Sequence, residues 1–267
     1  MKKYLSTAIE ASVIAGKAIM KIYGEDDFEI ENKEDNSPLT IADKRANEII
    51  NNLLIPHDIP IISEENQQIS FSERKQWAKC WIVDPLDGTK EFIKRNDEFT
   101  VNIALVEEGL PVLGVIYAPA LRDLYFSLVS EEKAYKYKID PEDWDVDHTL
   151  EHALEIRPTK PGKGVKVVGS RSHMNDDTLG FIEDLKKVHG NNITIVSKGS
   201  SLKFCLLAEG EAHYYPRFAP TMEWDTAAGQ AICQAVGVSC KYSDTGARIT
   251  YNRENLRNGN FCVSYEG

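Results

Sequence analysis

Leu5, Ile9, Ser12/Val13, Gly16, Ile19/Met20 and Tyr23 recur at three-to-four spacing through the first stretch of the chain. That period belongs to an amphipathic helix with one face packed on a domain. Lys2 and Lys3 ahead of a fairly apolar stretch suggest a secretory leader, but Glu10, Lys17 and Lys21 interrupt the apolar core that a leader requires. A second helix is predicted from Thr40 to Leu54, with Ala42, Ala46, Ile49/Ile50 and Leu53 on one face. Ile59 to Ile62 reads as a short strand running into Ser63-Glu64-Glu65-Asn66, and Trp81-Ile82-Val83 as a buried strand. Phe99 to Val106 and Val112 to Tyr117 flank Glu107-Glu108-Gly109-Leu110-Pro111 and predict a hairpin. Leu124 to Val129 and Ala134 to Lys138 are further strand candidates.

Between Asp140 and His152 the chain turns polar and contains a proline, which places a boundary between two lobes, 1–152 and 153–267. Beyond it, strand and helix signals alternate. Strands are expected at Val165–Val168, Ile193–Val196, Ala212–Tyr215 and Phe261–Ser264. Helices are expected at Asp176–Val188, Ser200–Ala208 and Trp224–Val236. Such alternation predicts an α/β lobe with helices covering a sheet.

Composition narrows the classes. A chain of 267 residues is long enough for a substantial core. Its net charge of -11 argues against non-specific binding to nucleic acid or an anionic membrane. No stretch approaches the roughly 20 apolar residues of a membrane span. The five cysteines form no CxxC pair and are expected as buried free thiols in a reducing cytoplasm. The six histidines show no zinc spacing.

The densest chemical signal is Val83-Asp84-Pro85-Leu86-Asp87-Gly88-Thr89-Lys90-Glu91-Phe92. Two carboxylates at a strand end, with the Leu86 carbonyl between them, suit a hard cation such as magnesium, and Asp84 could bridge two ions. Gly88-Thr89 would offer backbone N–H groups to a phosphate. The same residues also fit a Pro-x-Asp-Gly turn. Glu64-Glu65 fits either a metal site or a solvated loop. Asp225, at the start of an apolar helix, fits an N-cap. Thr40 to Asp43 fits a capping box, yet Asp43 lies beside the apolar stripe and needs an inward partner. Lys203 sits in the first turn of an apolar helix, where the dipole disfavours a cation unless an anion binds; the alternative is a side chain that snorkels to solvent. Arg217, among aromatics, fits either anion binding or cation–π packing.

Together these residues resemble the inositol monophosphatase superfamily of metal-dependent, lithium-sensitive phosphatases. D-P-x-D-G-T-x-x-F stands at Asp84 to Phe92, W-D-x-A-A-G at Trp224 to Gly229, E-E at Glu64-Glu65 and T-x-A-D at Thr40 to Asp43. Glu91 to Arg95, Ser170 to His173, Gly199 to Lys203 and Tyr215 to Phe218 are similar to the bacterial 3'(2'),5'-bisphosphate nucleotidases of the CysQ type.

The resemblance implies a layered α-β-α-β-α sandwich of the α/β (α+β) class, with the site between the lobes. The N-terminal lobe would carry most metal ligands and the C-terminal lobe the nucleotide-binding residues. Glu64, Asp84, Asp87, Asp225 and the Leu86 carbonyl would hold two to three magnesium ions, with lithium as inhibitor. Asp43 and Thr89 would activate the attacking water. Ser170, His173, Gly199, Ser200, Lys203 and Arg217 would hold the nucleotide; Glu64, Leu86, Asp87, Gly88, Thr89 and Asp225 would also meet substrate. The implied reaction converts adenosine 3',5'-bisphosphate to AMP and phosphate, recycling a product that inhibits sulfate assimilation, with phosphoadenylyl sulfate as an alternative substrate. A cytoplasmic enzyme is implied, free or peripheral on the inner face of the membrane. Rival expectations are an inositol monophosphatase or fructose bisphosphatase on this scaffold, or a sensor without activity. The stretch from Asp140 to His152 is longer than the resemblance implies and has no assigned role.

Overall fold

The structure, a computed structural model, describes residues 1–25, 30–32, 38–162, 164–169 and 175–265. Its fourteen described strands in chain order are β1 (Ile30–Asn32), β2 (Pro38–Thr40), β3 (Ile61–Ser63), β4 (Lys79–Asp87), β5 (Thr100–Glu107), β6 (Leu110–Ala118), β7 (Asp123–Leu128), β8 (Lys133–Lys138), β9 (Leu154–Ile156), β10 (Val165–Gly169), β11 (Ile193–Ser197), β12 (Tyr214–Arg217), β13 (Ser239–Tyr242) and β14 (Phe261–Ser264). The eight described α-helices are α1 (Lys2–Tyr23), α2 (Ile41–Leu54), α3 (Phe71–Arg74), α4 (Thr89–Ile93), α5 (Val146–His152), α6 (Asp176–His189), α7 (Leu202–Ala208) and α8 (Ala227–Ala235).

Strands β3 to β9 form a seven-stranded sheet in sequence order, with β3 parallel to β4 and every other pair antiparallel. The second sheet has five strands in the order β11-β10-β12-β14-β13, and β1 and β2 form a small ribbon. The chain leaves the first sheet at Ile156 and enters the second at Val165.

Both faces of the large sheet are covered, which explains why Ile103 to Val106 of β5 read as a continuous apolar run rather than an alternation. Val101, Ile103 and Leu105 pack with Leu5, Ile9, Ala46 and Ile50 of α1 and α2. Ala104 and Val106, on the other face, pack with Phe204, Ala228 and Ile232 of α7 and α8 and with Phe261 and Val263 of β14. Outside the second sheet, α6 buries Ile182 and Leu185 against Val165, Val167 and Tyr214. The layers are therefore α1/α2, large sheet, α7/α8, small sheet, α6: the mixed α/β sandwich expected from the sequence. The predicted β5–β6 hairpin forms around Glu108 and Gly109, both left-handed at φ 49° and 74°, as a two-residue turn between twisted strands requires.

Several boundaries move. Thr40 caps α2 rather than joining it. The helix expected from Ser200 begins at Leu202, the one expected from Trp224 begins at Ala227, and the strand expected from Ala212 begins at Tyr214. Helix α5 occupies part of the polar stretch from Asp140 to His152 that sequence patterning left without structure, and strand β9 follows it. All five cysteines are free thiols, four of them buried. Among the described residues, no helix is long and apolar enough to cross a membrane.

Candidate functional site

Three carboxylates from two layers converge. Strand β4 runs apolar from Cys80 to Val83 and then carries Asp84 and Asp87, with a register shift between them. Asp225 approaches from the turn before α8. Each of Asp84, Asp87 and Asp225 offers a carboxylate oxygen, and these oxygens lie within 4.8 Å of one another. Asp84 is buried and the other two are half-buried. None has an ion pair with a described Lys, Arg or His side chain.

Asp225 is not the helix cap it resembles in sequence. The N-cap position of α8 is Thr226, and the Asp225 carboxylate instead accepts from the Met222 N–H at 2.8 Å. Small residues let α8 approach its neighbours. A Cβ at Gly229 would stand 2.3 Å from the Phe204 ring, which accounts for the glycine in the W-D-x-A-A-G run.

Burial and crowding dominate the electrostatics. The Asp84 carboxyl is pushed well above its usual range, first by burial and then by the charges of Glu64, Asp87, Asp225 and Asp43. Asp225 is pushed up to about 8 by burial, Asp87 and Glu64, with the Met222 N–H and Arg217 pulling the other way. Glu64 belongs to this field by position too: its N–H donates to the Val83 carbonyl at 3.2 Å, fixing it beside β4. Carboxylates forced together without cations are a donor set that a hard divalent ion satisfies. The residues present therefore fit the magnesium implied by the sequence resemblance.

Asp43 combines both of its sequence readings, using a different oxygen for each. Oδ2 closes the capping box, accepting from the Thr40 N–H at 2.8 Å and the Thr40 hydroxyl at 2.5 Å. Oδ1 accepts from the Thr89 hydroxyl at 3.2 Å. Thr89 is the first residue of α4 and follows Gly88, whose φ of 92° is the left-handed turn that glycine adopts without strain. The Leu86 carbonyl lies 3.3 Å from the same hydroxyl.

Beside the carboxylates is a cleft of about 110 Å³ bordered by Asp87, Gly88, Ser200, Lys203, Arg217 and Asp225. Lys203 is only 6% exposed. Its ammonium donates to the Ser200 carbonyl and stands 5.5 Å over the Tyr215 ring. Burial pulls its pKa down to about 8, against the opposing pull of Asp87, Glu91 and Asp225. The snorkelling alternative fails, because the side chain points into the protein. Arg217 donates to the Pro220 carbonyl at 3.2 Å. Its Nε and the Ser200 hydroxyl are buried without a hydrogen-bond partner among the described residues. Gly199 lies at the edge, its N–H donating to Glu98 Oε2 at 2.9 Å. Ser170 and His173 lie outside the described residues. A roomier hollow of about 820 Å³ beside α6, bordered by Phe181, Val188, Tyr214 and Cys262, contains none of these carboxylates.

Sequence reading missed the groups that brace the cluster. The Ser201 hydroxyl lies 2.7 Å from Asp87 Oδ2 and 2.8 Å from the Asp225 carbonyl. Asn102 donates to the Ser201 hydroxyl at 2.9 Å and to Asp87 at 3.3 Å. Its own carbonyl accepts from the Thr100 hydroxyl at 2.9 Å. One network thus ties β4, β5, α7 and the turn before α8 together. The available signal was Asn102 itself, an amide inside an apolar strand.

This fold has known counterparts, and the chain belongs to the inositol monophosphatase family, whose profile matches residues 1–262. Among curated proteins it is similar to the 3'(2'),5'-bisphosphate nucleotidase CysQ of Salmonella typhimurium, 44% identical over 254 residues covering 94% of this chain and 95% of that protein. The protein of the same name from Buchnera aphidicola is 41% identical, covering 98% of this chain and 94% of the relative. Among solved structures it is similar to CysQ from Bacteroides thetaiotaomicron, described as a bacterial member of the inositol monophosphatase family. The TM-score is 0.89 and the identity 44%, over 100% of this chain and 98% of that one.

Proposed function

We propose that this protein is a magnesium-dependent phosphatase that removes the 3'-phosphate of adenosine 3',5'-bisphosphate, giving AMP. The observation that carries the reading is adjacency: the carboxylate cluster borders directly on a cleft with a buried lysine, an arginine and a buried hydroxyl that has no partner among the described residues. A substrate with two phosphates needs two such environments. The relatives named above support the nucleotide, since their names specify a 3'(2'),5'-bisphosphate.

Asp84, Asp87, Asp225, Glu64 and the Leu86 carbonyl would hold the ions. Bound magnesium supplies positive charge against the phosphate dianion and a lowered water pKa. The protein's own part is positioning and proton transfer. Ser201 and Asn102 hold Asp87 in one orientation. Asp43 Oδ1 accepts the Thr89 proton, so the Thr89 oxygen can accept one from the attacking water in turn. Lys203 and Arg217 would bind the phosphate that is not cleaved, with charge-assisted hydrogen bonds. Recycling of a nucleotide by-product of sulfate assimilation would be the cellular role.

Substrate choice tests this reading. Lys203→Ala should weaken adenosine 3',5'-bisphosphate by about 1.5–3 kcal/mol in kcat/KM, the value of a bond to a charged group, while 3'-AMP changes little. Equal losses on both substrates, or wild-type preference for inositol 1-phosphate or fructose 1,6-bisphosphate in the same panel, would reject the nucleotidase assignment.

Magnesium binding should also release protons. With Asp225 pushed up to about 8, the metal-free site is largely protonated at neutral pH, and an incoming cation must displace that proton. The sign for folding follows from the same shift. The metal-free fold binds more protons than the unfolded chain, so this carboxyl costs stability as pH rises from 3.8 towards about 8. Calorimetry at pH 7 in buffers of different ionisation enthalpy should show net proton release on filling the site, with affinity rising up to about pH 8. Buffer-independent heats would contradict the protonated cluster.

A further inference from the structure

We infer that Glu98 is a positioning residue for substrate choice: it ties the turn 198–201 to the loop behind α4 and thereby sets the Lys203 ammonium on the phosphate that is not cleaved. The inference rests on the nucleotidase reading above. Glu98 lies in loop 94–99, between α4 and β5, and the turn joins β11 to α7. The two meet although Glu98 and Gly199 are 101 residues apart in the chain.

The contact is double. Glu98 Oε2 accepts from the Gly199 N–H at 2.9 Å, and Oε1 lies 3.4 Å from the Lys198 ammonium. The backbones approach as closely. A Cβ at Gly199 would stand 2.8 Å from the Glu98 carbonyl oxygen and 2.9 Å from Glu98 Cβ. A Cβ at Gly88 would stand 3.2 Å from the same oxygen and 3.3 Å from Ser200 Cβ. Glu98 is thus wedged between the glycine of the D-P-x-D-G-T run and the turn that borders the cleft. It does not border the cleft itself, so it acts through that turn.

The turn in its own right fixes Lys203. The ammonium donates to the Ser200 carbonyl and, at 3.4 Å, to the Lys198 carbonyl. These carbonyls flank Gly199, so a shift of that residue moves the ammonium. Ser200 is held at φ 45°, a left-handed conformation that a serine keeps only where its surroundings impose it. The loop behind α4 is a firm anchor for this grip. The Arg95 guanidinium donates to the Tyr23 and Glu25 carbonyls at and beyond the end of α1. The Tyr23 hydroxyl donates to Asp97 Oδ1 at 2.9 Å, and Asn96 Oδ1 accepts from the Glu98 N–H at 3.1 Å.

The test measures kcat and KM with magnesium saturating, on adenosine 3',5'-bisphosphate and on 3'-AMP, which lacks the second phosphate. Glu98→Ala should raise KM for the bisphosphate at least about tenfold, within the range that a misplacement of about 1 Å can cost. Its kcat should be kept, as for a loss of uniform binding, and 3'-AMP should be unaffected. Glu98→Gln keeps an acceptor for the Gly199 N–H but not the charge facing Lys198. It should lose at least about threefold on the bisphosphate alone, and it carries the comparison if the alanine variant does not fold. Because Glu98 acts through Lys203, adding Glu98→Ala to Lys203→Ala should cost nothing further. Equal losses on both substrates, no loss in either Glu98 variant, or additive losses in the double variant would overturn the inference and leave the nucleotidase reading standing. If Lys203→Ala itself loses both substrates equally, that reading falls, and this inference with it.

Discussion

Asp84→Asn should lose nearly all turnover while the metal-free fold becomes more stable. The carboxylate sits at the centre of the crowd, within reach of Asp87 and Asp225 and under the field of Glu64 and Asp43. Loss of an outer partner of a metal ligand typically costs about 10–100-fold; loss of a central ligand should exceed about 10²-fold in kcat/KM. Stability should move the other way. The site disfavours the Asp84 charge, first through burial and then through the neighbouring carboxylates, and raises its carboxyl well above the ordinary range, so ionisation opposes folding as pH rises. An amide removes that repulsion and still accepts from the Leu86 N–H, now 3.1 Å from Asp84 Oδ1. Thermal melts in EDTA and in magnesium test both halves. Wild type should gain stability on adding magnesium; the variant should start higher and gain little. Near-normal turnover in Asp84→Asn would reject the metal-dependent reading.

Asp43→Asn should separate proton transfer from helix capping. The carbonyl of an asparagine can still accept from the Thr40 N–H, so the cap survives. The face towards Thr89 becomes an amide N–H₂, which cannot accept the hydroxyl proton. General-base loss costs about 10²–10⁴-fold, and because the interaction is made in the transition state, kcat and kcat/KM should fall together. Melting temperature and magnesium affinity should stay near wild type. An enzyme with unchanged kcat and a lowered melting temperature would show that Asp43 acts only as a cap.

Motifs whose function requires a fixed spacing were readable in the chain. D-P-x-D-G-T forces a strand end, a left-handed glycine and a helix start into six residues, so both carboxylates and Thr89 could be placed without coordinates. Thr40 and Asp43 were legible because a capping box is local. What escaped depends on pairing across the chain. Nothing near Ser201 in sequence reveals that it meets Asp87, 114 residues away, and Asn102 gives only its misplaced polarity. Helix α5 and strand β9 were missed because short, polar elements carry little periodicity. The small sheet's β13, Ser239–Tyr242, escaped for the same reason.

The sandwiched position of α7 and α8 also sets a hazard during synthesis. The large sheet is complete once Ile156 has been made, but the helices that cover its inner face lie at 202–208 and 227–235. At about 5–20 residues per second, a ribosome needs roughly 4–16 s to add that cover. Throughout that interval Ile82, Ala104, Val106 and Ile116 form a bare apolar wall on a nascent chain. The half-made phosphatase core thus presents the kind of transient apolar surface that is prone to aggregation, and slow codons between β9 and α8 would prolong that exposure.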